Sequence, residues 1–130
     1  MNITLIADAN SPGFKLYGLV VNNDCIVTNY IDRLEEKDQK QVANLFKYIT
    51  SIGLPKNEKK FKDVDDGIFE LKTRRGVRIL SFFGGSGLPR SLILTHEFPK
   101  SNKKIFNREK EKALRWYKEF VEIADIRIIS

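Results

Sequence analysis

Cysteine, histidine, tryptophan and methionine each occur once in these 130 residues. The lone Cys25 has no partner within the chain, which excludes an internal disulfide and a cysteine-built metal site and suits a reducing, cytoplasmic setting. With His96 the only histidine, no Cys/His set exists for structural zinc, and neither metal nor cofactor is expected. No apolar run reaches the roughly 18 residues of a membrane span, so no membrane partner is expected. Nor does a basic stretch followed by an apolar run open the chain, so no secretory signal is expected. No G-x-G-x-x-G opens a helix. Gly84–Gly87 lacks the lysine and the following helix of a phosphate cradle, and reads as a turn. No Ser/His/Asp arrangement stands out, and there is no repeat, low-complexity segment or linker. At this length, one domain covering 1–130 is expected, with room for a real core.

Charge is what the chain does have. Lysine and arginine number 23 against 17 aspartates and glutamates, a net charge of +6. The positive residues crowd into Lys56–Lys62, Lys72–Arg78 and Lys100–Arg115, while Asp32–Asp38 and Asp63–Asp66 hold most of the local acid. A basic half of this kind favours a polyanionic partner, nucleic acid above all; the plainer alternative is a solvated lysine-rich surface.

The stretch from Gly67 to Phe98 organises the rest. Ile68–Thr73, Val77–Phe83 and Ser91–Phe98 are rich in β-branched, aromatic and aliphatic residues. They are separated by Arg74-Arg75-Gly76 and by the turn cluster Gly84–Pro89. Connections this short join antiparallel neighbours, so a three-stranded meander is expected over 67–98. Period two puts Glu70, Lys72 and Arg74 on one side of the first strand. The second strand is apolar on both sides, with Val77, Ile79 and Phe83 on one and Leu80 and Phe82 on the other, joined by Arg78 as its one charge, which marks it as the centre of the sheet. Arg78 then either pairs with a carboxylate such as Glu70 or opens onto an anion-accepting groove. His96 falls by parity with Leu92, Leu94 and Phe98, either as a hydrogen-bonded core histidine or as a proton carrier.

Residues 1–28 read as a strand, Asn2–Ala7, and a hairpin of Leu16–Val21 with Cys25–Thr28 about the turn Asn22–Asp24. A helical region is expected over 29–53. It has a short turn at Tyr30–Leu34 with Thr28 or Asn29 as cap, then a helix opened by the capping box Asp38–Gln41. Val42, Leu45, Phe46, Ile49 and Ile52 form its core stripe, and Gly53 and Pro55 stop it. Lys56–Lys62 is a polar connector and Pro99–Lys104 a basic loop. Asn107 caps a helix over 107–122, with Ala113, Leu114, Trp116, Tyr117, Phe120 and Val121 inward, and Ile126–Ile129 is a candidate closing strand. The expected class is α+β: a small antiparallel sheet, the meander plus an N-terminal strand, with helices packed on it.

The remaining constellation is cationic: Lys72, Arg74, Arg75 and Arg78 from the meander, Lys100, Lys103 and Lys104 beyond it, and His96 between. Arginine forks hold phosphate oxygens and stabilise the extra charge of a pentacoordinate phosphorus without a metal. His96, or a lysine of lowered pKa, is the candidate to move a proton from a ribose 2′-hydroxyl.

Four short pieces in order carry a family likeness. They are Gly67-Ile68-Phe69-Glu70-Leu71-Lys72; Val77-Arg78-Ile79-Leu80 with Phe82-Phe83; Leu94-Thr95-His96-Glu97-Phe98-Pro99-Lys100; and Arg108-Glu109 with Ala113. Together, over about residues 28–121, they resemble the phage-derived HigB-like branch of the RelE/ParE toxin superfamily. The resemblance implies a RelE-like fold and a type II toxin paired with a helix-turn-helix antitoxin protein. It also implies ribosome-dependent mRNA cleavage by metal-independent 2′-OH attack. Residue by residue it implies catalytic roles for Arg78, His96, Lys72 and Lys100, with Arg74, Arg75, Lys103 and Lys104 near the RNA. DNA would be met only through the antitoxin complex. Two other functions stay open: a ParE-like toxin that inhibits a topoisomerase by binding, and a non-catalytic basic module that binds RNA or antitoxin.

Overall fold

The computed structural model describes residues 1–100, 102–122 and 125–130, so Ser101 of the expected basic loop lies outside the described residues. Its elements run β1 (Asn2–Ala7), β2 (Lys15–Val21), β3 (Asp24–Cys25), α1 (Ile26–Asp32), α2 (Glu36–Ser51), β4 (Phe61–Asp63), β5 (Phe69–Lys72), β6 (Arg78–Phe83), β7 (Ser91–Glu97), α3 (Lys103–Glu122) and β8 (Arg127–Ile129). The class is α+β. The meander β5–β6–β7 forms with antiparallel pairing on both sides of β6.

The sheet is larger than a meander plus one strand, and it is mixed. Its order is β4-β5-β6-β7-β2-β1-β8, with β3 added on β2. β2 joins β7 in parallel and β8 joins β1 in parallel; the other pairings are antiparallel. The cause lies in β7, where Leu92, Ile93 and Leu94 are all fully buried. A strand covered on both faces cannot leave one edge of N–H and C=O groups unpaired away from water. β2, whose Leu16, Tyr17 and Leu19 are buried as well, supplies that edge. At the other end of the sheet, β4 forms across the end of the expected polar connector and pairs with β5.

Two apolar clusters flank the sheet. On one face Leu16, Leu71, Ile79, Leu92 and Leu94 meet Val27 of α1 and Val42, Leu45, Phe46 and Ile49 of α2. On the other, Ile3, Leu80, Phe82, Ile93 and Phe98 meet Ala113 and Phe120 of α3. The stripe of α2 matches its expected core members except Ile52, which is 59% exposed. Val121 likewise lies outward on α3.

A bulge in β7 changes the expected faces. Ile79 pairs with Glu97 but Ser81 pairs with Leu94, so β7 carries one extra residue between. Leu92 and Leu94 face α1 and α2, whereas His96 and Phe98 are turned to the α3 side. Strict alternation would group all four on one face.

Helix ends also differ from expectation. The hairpin's second strand stops at Cys25, and α1 begins at Ile26 without a side-chain cap. Helix α2 starts at Glu36, two residues before the expected capping box, and has no side-chain cap. The box residues hold a neighbour instead: Asp38 accepts from Arg75 Nε at 2.9 Å and Gln41 accepts the Arg75 backbone N–H at 2.9 Å. Helix α3 starts a turn earlier than Asn107. Asn102 is its cap, its Oδ1 accepting the Ile105 N–H at 3.0 Å.

The segment before β2 is locked onto the end of α2. Phe14 N–H donates to the Ile49 carbonyl at 2.9 Å, and a Cβ on Gly13 would sit 1.7 Å from the Thr50 carbonyl oxygen. Backbone on both sides leaves nothing flexible to move. Gly13→Ala should therefore cost about 1–3 kcal/mol or more in urea unfolding. Gly87→Ala, with nothing within 4 Å, should stay within about 0.5 kcal/mol. Equal, small losses for both would contradict the close approach.

Candidate functional site

On the α3 side of the sheet, β4 and β5 extend past the helix and leave a groove of about 820 Å³. Three walls build it. The first is the turn before β4. Asn57 organises that turn, its Oδ1 accepting the Lys59 N–H at 2.9 Å and its carbonyl accepting from Lys60 and Phe61. This projects Lys59 and Lys62 into the lining. The second is the outward face of β5 and β6, with Glu70, Lys72 and Arg78. The third is the first turn of α3, with Asn102, Lys103 and Phe106, seated on Phe98. A backbone bond from Phe98 N–H to the Arg78 carbonyl, 3.1 Å, ties the second wall to the third.

Within this frame Lys72 stands directly opposite Arg78 across the β5–β6 ladder. Like charges in that register repel. Glu70, one step along the same face and 7% exposed, offsets the repulsion, its Oε1 lying 3.6 Å from Arg78 Nη1. That is an ion pair without hydrogen-bond contact. Arg78 Nε is buried with no partner among the described residues, so the guanidinium keeps donors unused. No carboxylate among the described residues lies within ion-pairing distance of Lys59, Lys62, Lys72 or Lys103, although Glu58, Asp63 and Asp65 share the lining. Asp63 is partly spent on the Asp65 N–H, at 2.8 Å. The N-terminus of α3 adds the positive end of its dipole to the third wall.

The structure thus brings three of the expected residues, Lys72, Arg78 and Lys103, into one groove. Lys104 is exposed in the first turn of α3 and Lys100 in the segment after β7, and neither lines it. Arg74 lies in a neighbouring hollow beside α2. Arg75 is bound to Asp38 of α2 at 2.9 Å and to Glu35, just before that helix, at 3.5 Å.

His96 is not part of the groove. It is 5% exposed beneath α3, edge-on to Trp116 at 5.4 Å. The Thr95 hydroxyl donates to the Leu80 carbonyl at 3.0 Å, and its oxygen also lies 3.0 Å from His96 Nδ1. Nε2 then faces Glu109 Oε2 at 3.8 Å. Burial pushes the imidazole pKa down to about 4; Glu109 opposes the shift and Lys112 adds to it.

A family model described as phage-derived protein Gp49-like matches residues 29–118. The chain belongs to this family. The matched stretch runs from α1 to within α3 and contains every residue of the groove, whereas β1, β2, β3 and β8 lie outside it. No curated protein and no solved structure matches the chain. No described helix of this Gp49-like chain is long and apolar enough to cross a membrane.

Sequence reasoning missed Lys59 and Lys62 as groove residues, and took Glu70 only as an ion-pair partner. Their signal was present but faint. Lys60-Phe61-Lys62 alternates for three residues, too briefly to read as a strand.

His96 generates a pH prediction. Its folded pKa lies below the unfolded value, so the neutral ring is favoured on folding; that stability is complete above about pH 6.5 and falls as pH drops toward 4. Between pH 7 and 5 the protein should lose about 1–2 kcal/mol in urea unfolding through this group. His96→Gln should remove that part of the loss. An identical pH slope in the variant would contradict a buried neutral imidazole.

Proposed function

We propose that this chain is the toxin of a type II toxin–antitoxin pair, an mRNA endoribonuclease acting on the ribosome, and that the groove is where the strand is cut. One observation carries the reading. Lys72 and Arg78 are held face to face, with Glu70 beside them and Lys103 across the groove. Two like charges in that register cost about 0.2–1 kcal/mol, a cost that a bound phosphate would remove. Membership of a phage-derived family and the HigB-like motifs at Glu70, Lys72 and Arg78 support the toxin assignment.

The chemistry follows from the side chains. Glu70 accepts the proton of the ribose 2′-hydroxyl, and the 2′-oxygen forms a bond to the adjacent phosphorus. The bond from phosphorus to the 5′-oxygen breaks, and Lys72 gives that oxygen a proton. The products are a 2′,3′-cyclic phosphate and a 5′-hydroxyl. Arg78 holds the non-bridging oxygens and offsets the charge that builds on them, as a metal ion would. Lys59, Lys62 and Lys103 take flanking phosphates, contacts that weaken with salt. Lys100 and Lys104 stand outside the groove for ribosomal RNA. His96 and Arg75, already engaged within the fold, have no part in this scheme. The partner is a helix-turn-helix antitoxin, the setting the cytoplasm, and DNA is reached through the antitoxin alone.

Primer extension on cellular mRNA after induced expression tests the assignment. The wild type should cut within translated codons. Glu70→Gln and Arg78→Lys should each reduce cutting by about 100-fold or more. Both keep side chains of similar size, and lysine keeps the charge opposite Glu70, so both should remain folded by circular dichroism. Undiminished cutting by the two variants would contradict the roles of Glu70 and Arg78. Intact mRNA with SOS induction would point instead to a topoisomerase-inhibiting toxin.

A further inference from the structure

We infer that the hollow beside α2 is a nucleobase-binding subsite for the same RNA strand, an inference that rests on the groove being the RNA-cleaving site. The hollow, about 560 Å³, falls within the size range of small-ligand pockets. Its lining has three parts, each suited to one part of a nucleotide.

Cations come first. Lys56, Lys60, Lys72 and Arg74 line the hollow, and no carboxylate does among the described residues. The groove around Arg78, by contrast, mixes four acids with its cations. The second part is an aromatic ring. Tyr48 projects from α2 with 41% of its surface exposed, on a helix whose Val42, Leu45, Phe46 and Ile49 already supply the core stripe. The ring is therefore free of packing duty and offers a face to stack on. The third part is a set of amides. Asn44 and Asn57 line the hollow, and Gln41 spends its carbonyl on the Arg75 N–H, which leaves its NH₂ donors for another acceptor. Cations for phosphate, a ring for stacking and amides for a base edge together make the chemistry of a single-strand binding site.

Continuity gives the hollow its place on the strand. Lys72 and Asn57 line both cavities, so the two adjoin there although they open toward opposite faces of the sheet, and a chain leaving the scissile phosphate at Lys72 reaches the hollow by turning around the end of β5. A base that flanks the cut is thus stacked on Tyr48 while its neighbour is cleaved. This makes Tyr48 a residue that sets which RNA is held.

Fluorescence anisotropy with a short labelled single-stranded RNA, its 2′-hydroxyls methylated to block cleavage, tests this on the full chain. Tyr48→Ala should weaken binding about tenfold, in line with the loss of one stacked base, and Tyr48→Phe should restore it. Inorganic phosphate, which carries no base, should compete equally well against wild type and Tyr48→Ala. Thermal melting confirms that the exposed substitution leaves the fold intact. If wild type binds the RNA and Tyr48→Ala binds it just as tightly, the subsite is overturned and the groove stands. If wild type binds no RNA at all, the subsite is overturned, while cutting on the ribosome stands or falls by primer extension. If a glutamate-rich peptide, and not RNA, loses affinity with Tyr48→Ala, the hollow is a protein-binding site and the inference is overturned.

Discussion

Burial of β6 and β7 on both faces is the constraint from which the architecture follows. Leu80, Phe82 and Ile93 look toward α3, and Ile79, Leu92 and Leu94 toward α1 and α2. Strands enclosed in this way need helices above and below and a paired neighbour along each edge. β2 and β5 fill the edges, and β1, β8 and β4 extend the sheet outward from them. Helix α3 packs on β6 and β7. The α3-side face of β4 and β5 therefore emerges from under the helix, and the groove occupies that uncovered ground.

The same enclosure sorts the charged residues. Where the sheet is covered, ionisable groups are neutralised or drawn into the fold: His96 is kept neutral beneath Trp116 and α3, and Arg75 fastens the β5–β6 turn to α2. At the rim, cations remain without such partners. Arg78 sits at the boundary, half inside with an unpartnered Nε and half committed to Glu70 at a long 3.6 Å. A buried pair with better geometry would favour stability over reactivity, since arginine donors saturated by a carboxylate are not available to a phosphate.

Much of this was legible in the residues. The meander, the amphipathic stripe of α2 and the strand Asn2–Ala7 follow from period and turn chemistry, and Arg78 announces itself as the one charge in a largely apolar strand. What was not legible depends on pairing between distant segments. The parallel union of β2 with β7 joins residues far apart in sequence, and no local signal encodes it. The bulge that turns His96 toward α3 adds one residue to a strand whose alternation looks unbroken. Asp38 and Gln41 have the form of a capping box, yet both bind Arg75, because a tertiary partner outcompeted a local one. Three of the expected cations converge and four do not. Spacing along the chain says which residues share a strand face, but not where a helix leaves that face open.

The most direct test is to see the substrate in place: a cryo-electron microscopy structure of the protein on a ribosome whose A-site mRNA carries 2′-deoxy nucleotides and so resists cleavage. The account predicts a backbone phosphate between Lys72 and Arg78, with the neighbouring 2′ position turned toward Glu70. An mRNA path that avoids β5 and the start of α3, with Arg78 still closed onto Glu70, would contradict it.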